Sequence, residues 1–180
     1  MTETGILEVV AAKGADIDEI AGRLIKNSEY IPKLVEALQT EKSHKKYAYE
    51  KALRRLSEKR PEMIYPYFDS FARLLDSENN FLKWGAIMTV ANLTAVDTHK
   101  KLESIFRRYY APIQGPTMIT ANNIIGSSVI IARAKPELTD AIVNEILKVE
   151  KAAYELKGVP SPECRNVAIG QAIDALDGLY

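Results

Sequence analysis

A two-helix cadence occurs twice in this chain at a fixed spacing. Leu75-Asp76-Ser77-Glu78 leads into Leu82-Lys83-Trp84-Gly85-Ala86, and an apolar stripe continues through Val90 and Leu93. About 37 positions earlier, Leu38-Gln39-Thr40-Glu41 leads into Lys46-Tyr47-Ala48, then Leu53 and Leu56. Recurrence of a helix pair at such a period predicts a stacked array, because one pair cannot bury its own apolar face.

Periodicity and capping residues place the remaining helices. Asp16, with Glu19 three residues on, predicts a capped helix through Lys26 with Ile17, Ile20, Ala21 and Leu24 on one face. Asn27-Ser28 then opens a helix carrying Ile31, Leu34, Val35 and Leu38. After a turn at Thr40–Ser43, a long helix carries Tyr47, Ala52, Leu53 and Leu56 to Arg60-Pro61. The next pair spans about 62–75, with a kink at Pro66, and 81–95. A third pair uses Thr98 as cap, with Leu102, Ile105 and Phe106 as its face, and then runs from Pro116 to Ala134. A fourth runs from Glu137 to about Lys151 and is completed by a helix opened by Ser161-Pro162. No alternating strand pattern of useful length occurs. The expectation is an all-α chain, an α-α superhelix of about four pairs over 28–180, with N-terminal capping helices over 1–27 as part of one domain.

The second helices carry a recurring pattern: an apolar residue, a basic residue, then a small residue three further on. Leu82-Lys83 with Ala86 and Val90 fits it fully, Cys164-Arg165 with Ala168 fits its first half, and Lys45-Lys46 with Tyr49 and Leu53 fits loosely. An acidic turn, Asp76-Ser77-Glu78-Asn79, precedes the clearest copy. In this the chain resembles HEAT-repeat proteins, whose pattern is an Asp at the turn and an Arg or Lys opening the second helix. The resemblance covers roughly 28–180 and is sharpest over Glu62–Ala95. It implies a curved stack whose second helices line a concave face and, by the family's habit, a protein or peptide partner. It also implies that Asp76, Lys83 and Arg165 form a structural ladder between repeats.

Composition narrows the chemistry. The 24 basic and 24 acidic residues cancel, which disfavours a dedicated nucleic-acid binder. The charge is blocked, however, with basic stretches over 42–60 and 99–135 between acidic ones. Such blocks predict neighbouring helices that attract one another, or else an electrostatic docking face. One cysteine, Cys164, and an acidic opening without a basic-then-apolar segment point to a cytoplasmic protein. The longest apolar stretch, near 124–134, is broken by Gly126, Ser127, Ser128 and Arg133, so no membrane partner is expected.

Catalytic constellations are not found. His44 and His99 are the only histidines and neither has a glutamate neighbour, which excludes an iron hydroxylase of the HEAT type built on His-Glu pairs. Gly-x-Ser-x-Gly and phosphate-loop motifs are missing. No metal or cofactor is expected, and the chain is read as a non-catalytic interaction scaffold. The alternative is a HEAT-like DNA-binding or alkylated-base glycosylase protein, with Asp174 or Asp177 as the groove acid, although the single tryptophan, Trp84, stands where repeat packing is expected. Zero net charge and a missing aromatic cage weigh against it.

The expected partner surface combines a polar strip on the second helices with a rim of loops. Arg54, Asn92, Asn122, Asn123 and Gln171 lie on the strip. Asn122-Asn123 inside a helix calls for a compensating contact, because asparagine competes for backbone hydrogen bonds. Two long connections, Arg107–Pro116 and Lys151–Pro160, are expected to line one rim and to present Tyr109, Tyr110 and Tyr154.

Overall fold

The computed structural model describes residues 3–179, with side chains from Gly5 onward. Their fold is all-α apart from one two-stranded hairpin. The contacts divide the chain into two compact units, residues 1–96 and 97–180.

In the first unit, α1 (Glu3–Ala11) and α2 (Ile17–Lys26) precede α3 (Ile31–Thr40) and α4 (Lys45–Lys59). Asp16 caps α2 as its position predicts, accepting from the backbone of Asp18 and Glu19 at 2.8 and 3.1 Å. Glu19 does not reach back to complete the box but pairs with Arg23 at 2.6 Å. Then follow α5 (Pro61–Ile64), a 3₁₀ turn at Tyr65–Tyr67, α6 (Phe68–Leu74) and α7 (Asn80–Leu93). Pro66 lies in that 3₁₀ turn, where its missing N–H and fixed φ break the helix outright instead of only kinking it. Ile20, Leu24, Leu34, Leu53, Leu56, Phe68, Phe71 and Val90 form the buried core.

Helices α4 and α7 pack parallel. Tyr47 meets Phe81, Glu50 lies over Gly85, and Ser57 meets Asn92, so partners advance together along both helices. The basic residues of α4 are largely spent inside this unit. Lys45 pairs with Glu8 at 3.0 Å, while Arg55 and Lys59 both reach Asp18, at 2.8 and 2.6 Å. The block over 42–60 therefore joins neighbouring helices. These pairs are partly exposed and add little stability individually.

The second unit holds α8 (Lys101–Tyr110), α9 (Met118–Ala134), α10 (Thr139–Ile146) and α11 (Pro162–Asp177), with 3₁₀ turns between them. Strands β1 (Glu155–Leu156) and β2 (Val159–Pro160) pair antiparallel around Lys157-Gly158. Both turn residues have positive φ, 55° and 79°, the conformation a two-residue hairpin loop demands. Four residues of alternation are too few to register as a strand in sequence.

Capping of α8 differs from expectation. Asp97, not Thr98, accepts from the Lys101 and Leu102 backbone at 2.9 and 3.0 Å, while Lys100 adopts a left-handed φ of 54°. The buried Lys135 side chain, from just past the end of α9, reaches Asp97 at 3.5 Å and Glu103 at 3.1 Å. Lys135 thus belongs to the interior rather than to a basic surface. A similar shift occurs at α7, where Asn79 rather than Asp76 accepts from the Leu82 N–H at 3.3 Å. Asn79 sits at the N-cap position, and Asp76 lies too far upstream.

Candidate interaction surface

In the first unit the expected strip residues meet at the α4–α7 seam. Arg54 Nε donates to Glu50 Oε1 at 3.1 Å and its guanidinium also pairs with Glu58 at 3.5 Å. Asn92 Nδ2 donates to Ser57 Oγ at 2.9 Å. Glu50 is buried because Gly85 leaves room for it: a Cβ there would lie 2.0 Å from Glu50 Oε1. Burial raises the Glu50 carboxyl above its ordinary value, and the Arg54 charge opposes that rise. Arg54 and Asn92 remain half-buried, so each holds the seam with its polar end while keeping some surface in solvent.

An aromatic cluster lies at the N-terminal end of the same seam. Phe81 packs edge-on against Tyr47 and Trp84, with centroids 5.7 and 5.5 Å apart. Asn79 Nδ2 donates to the Tyr47 hydroxyl at 2.8 Å, and Lys46 lies 5.6 Å from the Tyr47 ring. Yet Phe81 itself is 66% exposed. The sequence reading missed it by treating Phe81 only as the start of a helix and Trp84 as packing. The available signal was the pairing of Lys46-Tyr47 with Lys83-Trp84 at matching places in two pairs. Beside this cluster a hollow of about 360 Å³ carries Lys46 and Arg73 together with Glu41 and Asp76, so its cations and carboxylates balance.

The two long connections of the second unit do lie together: Glu155 N donates to the Pro116 carbonyl at 2.9 Å, and the Tyr154 hydroxyl donates to the Ile113 carbonyl. Their tyrosines, however, are not a binding rim. Tyr109, Tyr110 and Tyr154 are each only 1% exposed. Helix α8 continues through Tyr110 instead of ending at Arg107, which turns both adjacent rings inward. Ser128 Oγ lies 3.2 Å from the Tyr110 hydroxyl, and burial pushes the phenols of Tyr109 and Tyr110 well above their ordinary value. The Tyr154 phenol is pushed up to about 12 by the same cause. These three are core residues with a satisfied polar tip.

The asparagine pair resolves in two ways. Asn123 Nδ2 donates to the Ile119 carbonyl one turn back, at 2.8 Å, a purely local solution. Asn122 Oδ1 is buried without a hydrogen-bond partner. Gln171 sits across the α9–α11 seam, its Nε2 3.9 Å from where a Gly126 Cβ would be. Of the ladder residues, Lys83 is half-buried and Arg165 exposed, and neither makes an ion pair among the described residues.

Exposed large apolar side chains are unevenly placed. Phe81 is on α7, Ile119 and Ile130 on α9, and Val167 and Ile173 on α11. Leu147, Leu156 and Val159 fall in the connection after α10, and α3, α6, α8 and α10 contribute none. No described helix is long and apolar enough to cross a membrane. No protein-family model, curated protein or solved structure matches this chain.

Proposed function

We propose that this chain is a non-catalytic interaction module, a HEAT-like α-α stack whose second helices form the partner-binding surface. One observation carries the reading: of the eight exposed large apolar side chains among the described residues, Phe81, Ile119, Ile130, Val167 and Ile173 lie on the second helices α7, α9 and α11, although α4 carries none and Leu147 follows directly on α10. Exposed Phe81 in the first unit, and exposed Ile and Val on α9 and α11 in the second, give each unit apolar surface to offer a partner. Parallel packing of α4 and α7, with partners in constant register, is what equivalent helices of successive repeats would do. Arg54 and Asn92 supply polar contacts in the first unit and Gln171 in the second, and a single cysteine suits a cytoplasmic setting.

The test is affinity capture from the source cell with the whole chain, beside a base-excision assay on alkylated duplex DNA. A reproducible protein partner, lost on Phe81→Ser with helicity unchanged, supports the proposal. Base excision that disappears in Asp174→Asn or Asp177→Asn overturns it in favour of the glycosylase alternative.

A further inference from the structure

The hollow of about 360 Å³ in the first unit lies between the ends of α3 and α6, beside the starts of α4 and α7. Leu38, Leu74 and Leu82 give it an apolar lining, and Leu38 and Leu82 are buried. Lys46 and Arg73 bring cations to it, Glu41 and Asp76 carboxylates. Among the described residues neither Lys46 nor Arg73 makes an ion pair, so opposite charges line one space without closing on each other. Elsewhere in this unit the reverse holds, with Lys45, Arg55 and Lys59 spent on Glu8 and Asp18.

Hydrogen-bonding capacity is also left over there. Ser70 Oγ accepts from Gln39 Nε2 at 3.1 Å and from Arg73 Nη2 at 3.3 Å, which occupies its lone pairs and leaves its own hydrogen to donate. Arg73 commits one of its five N–H donors in that bond. Lys46 lies 5.6 Å from the Tyr47 ring and donates to no carboxylate among the described residues. Glu41 is fixed in its own turn. Ser43 N donates to Glu41 Oε1 at 2.7 Å, and that bond holds the carboxyl below its ordinary value.

Charge and lining together choose the occupant. A simple anion would meet Glu41 and Asp76, and a simple cation would meet Lys46 and Arg73. An uncharged apolar molecule would strip water from charged groups and return no partner. A molecule with an ammonium and a carboxylate on one carbon answers both signs at once, and an aliphatic side chain beside them covers the leucines. The volume is near the lower end of the range for small-molecule sites, roughly 300–1,000 Å³. We infer that this hollow binds a free α-amino acid with an aliphatic side chain. Arg73, Lys46 and the Ser70 hydroxyl hold its carboxylate, and Glu41 holds its ammonium, with Asp76 adding negative charge. The site needs no protein partner, so it stands whether or not the chain is an interaction module.

The experiment is calorimetric titration of the whole chain with L-leucine. N-acetyl-L-leucine lacks the ammonium, L-leucinamide lacks the carboxylate, and glycine lacks the side chain. The expected result is saturable one-to-one binding of L-leucine with a Kd of roughly 10 μM to 1 mM, each control being weaker by at least about tenfold. Arg73→Gln and Glu41→Gln should each weaken L-leucine at least about tenfold with helicity unchanged. No saturation by about 10 mM L-leucine overturns the site. So does equal affinity for any of the three controls, or indifference to Arg73→Gln. Tighter binding of L-leucyl-L-leucine than of L-leucine overturns the free amino acid in favour of a peptide.

Discussion

Gly85 and Glu50 define each other across the α4–α7 seam. Any Cβ at position 85 would collide with the Glu50 carboxylate, so Gly85→Ala should expel that side chain and cost about 1–3 kcal/mol, as overpacking does. Chemical denaturation of Gly85→Ala, Glu50→Ala and the double variant checks this; the double variant should recover most of the loss. The buried carboxyl also makes a pH statement. Its folded value is raised above the ordinary 4.5, so the neutral form is favoured by folding. Stability from this group is fully present below that value and is lost as pH rises through the folded value. Thermal melts from about pH 4 to 7 should therefore fall less steeply for Glu50→Gln than for the native chain. A parallel pair of curves would remove Glu50 from the account. Residue identities alone exposed little of this. Glu50 reads as one more polar residue on a charged helix, and only the missing side chain at position 85, a helix pair away, makes it buried.

Elements were far more legible than side-chain directions. Asp16, Ser161 and Pro61 act locally, through their own backbone or through the next few residues, and each marks its helix boundary where expected, whereas Pro66 breaks a helix expected only to kink. Tyr109 and Tyr110 failed because their direction depends on how far α8 continues, which the Pro112 and Gly115 signals place too early. With both rings buried, Tyr109→Ser should lower stability by roughly 3–5 kcal/mol, the range for emptying a large aromatic site. A denaturation midpoint unchanged by this substitution would contradict the burial. Asp97 shows the same limit at the start of α8. Its capping role is fixed by Lys135, nearly forty residues away, and by the left-handed Lys100. Lys135→Ala leaves two carboxylates facing each other in the interior and should cost about 3–5 kcal/mol, measurable as a lowered Tm. Lys135→Arg should lose less, provided the longer fork can still reach both acids.

Across the whole molecule, the charge blocks and apolar stripes carry different messages. The blocks over 42–60 and 99–135 are consumed in part by Glu8, Asp18, Asp97 and Glu103, so zero net charge hides an internal pairing scheme. On the proposed reading, a partner would meet the exposed residues of α7 in the first unit and of α9 and α11 in the second. The polar part of that surface is legible in sequence at Asn92 and Gln171, and at Arg54 on the neighbouring α4, as polar residues amid an apolar stripe. Its apolar half was hidden, because an exposed Phe81 or Ile173 is indistinguishable in sequence from a core residue until neighbours are known. The central claim is that the second helices bind the partner, and hydrogen exchange of the chain with and without its captured partner tests it most directly. Slowed exchange confined to residues 45–59, 80–93, 118–134 and 162–177 is the predicted result. Slowed exchange over α3, α6, α8 and α10, with α7, α9 and α11 unaffected, would contradict it.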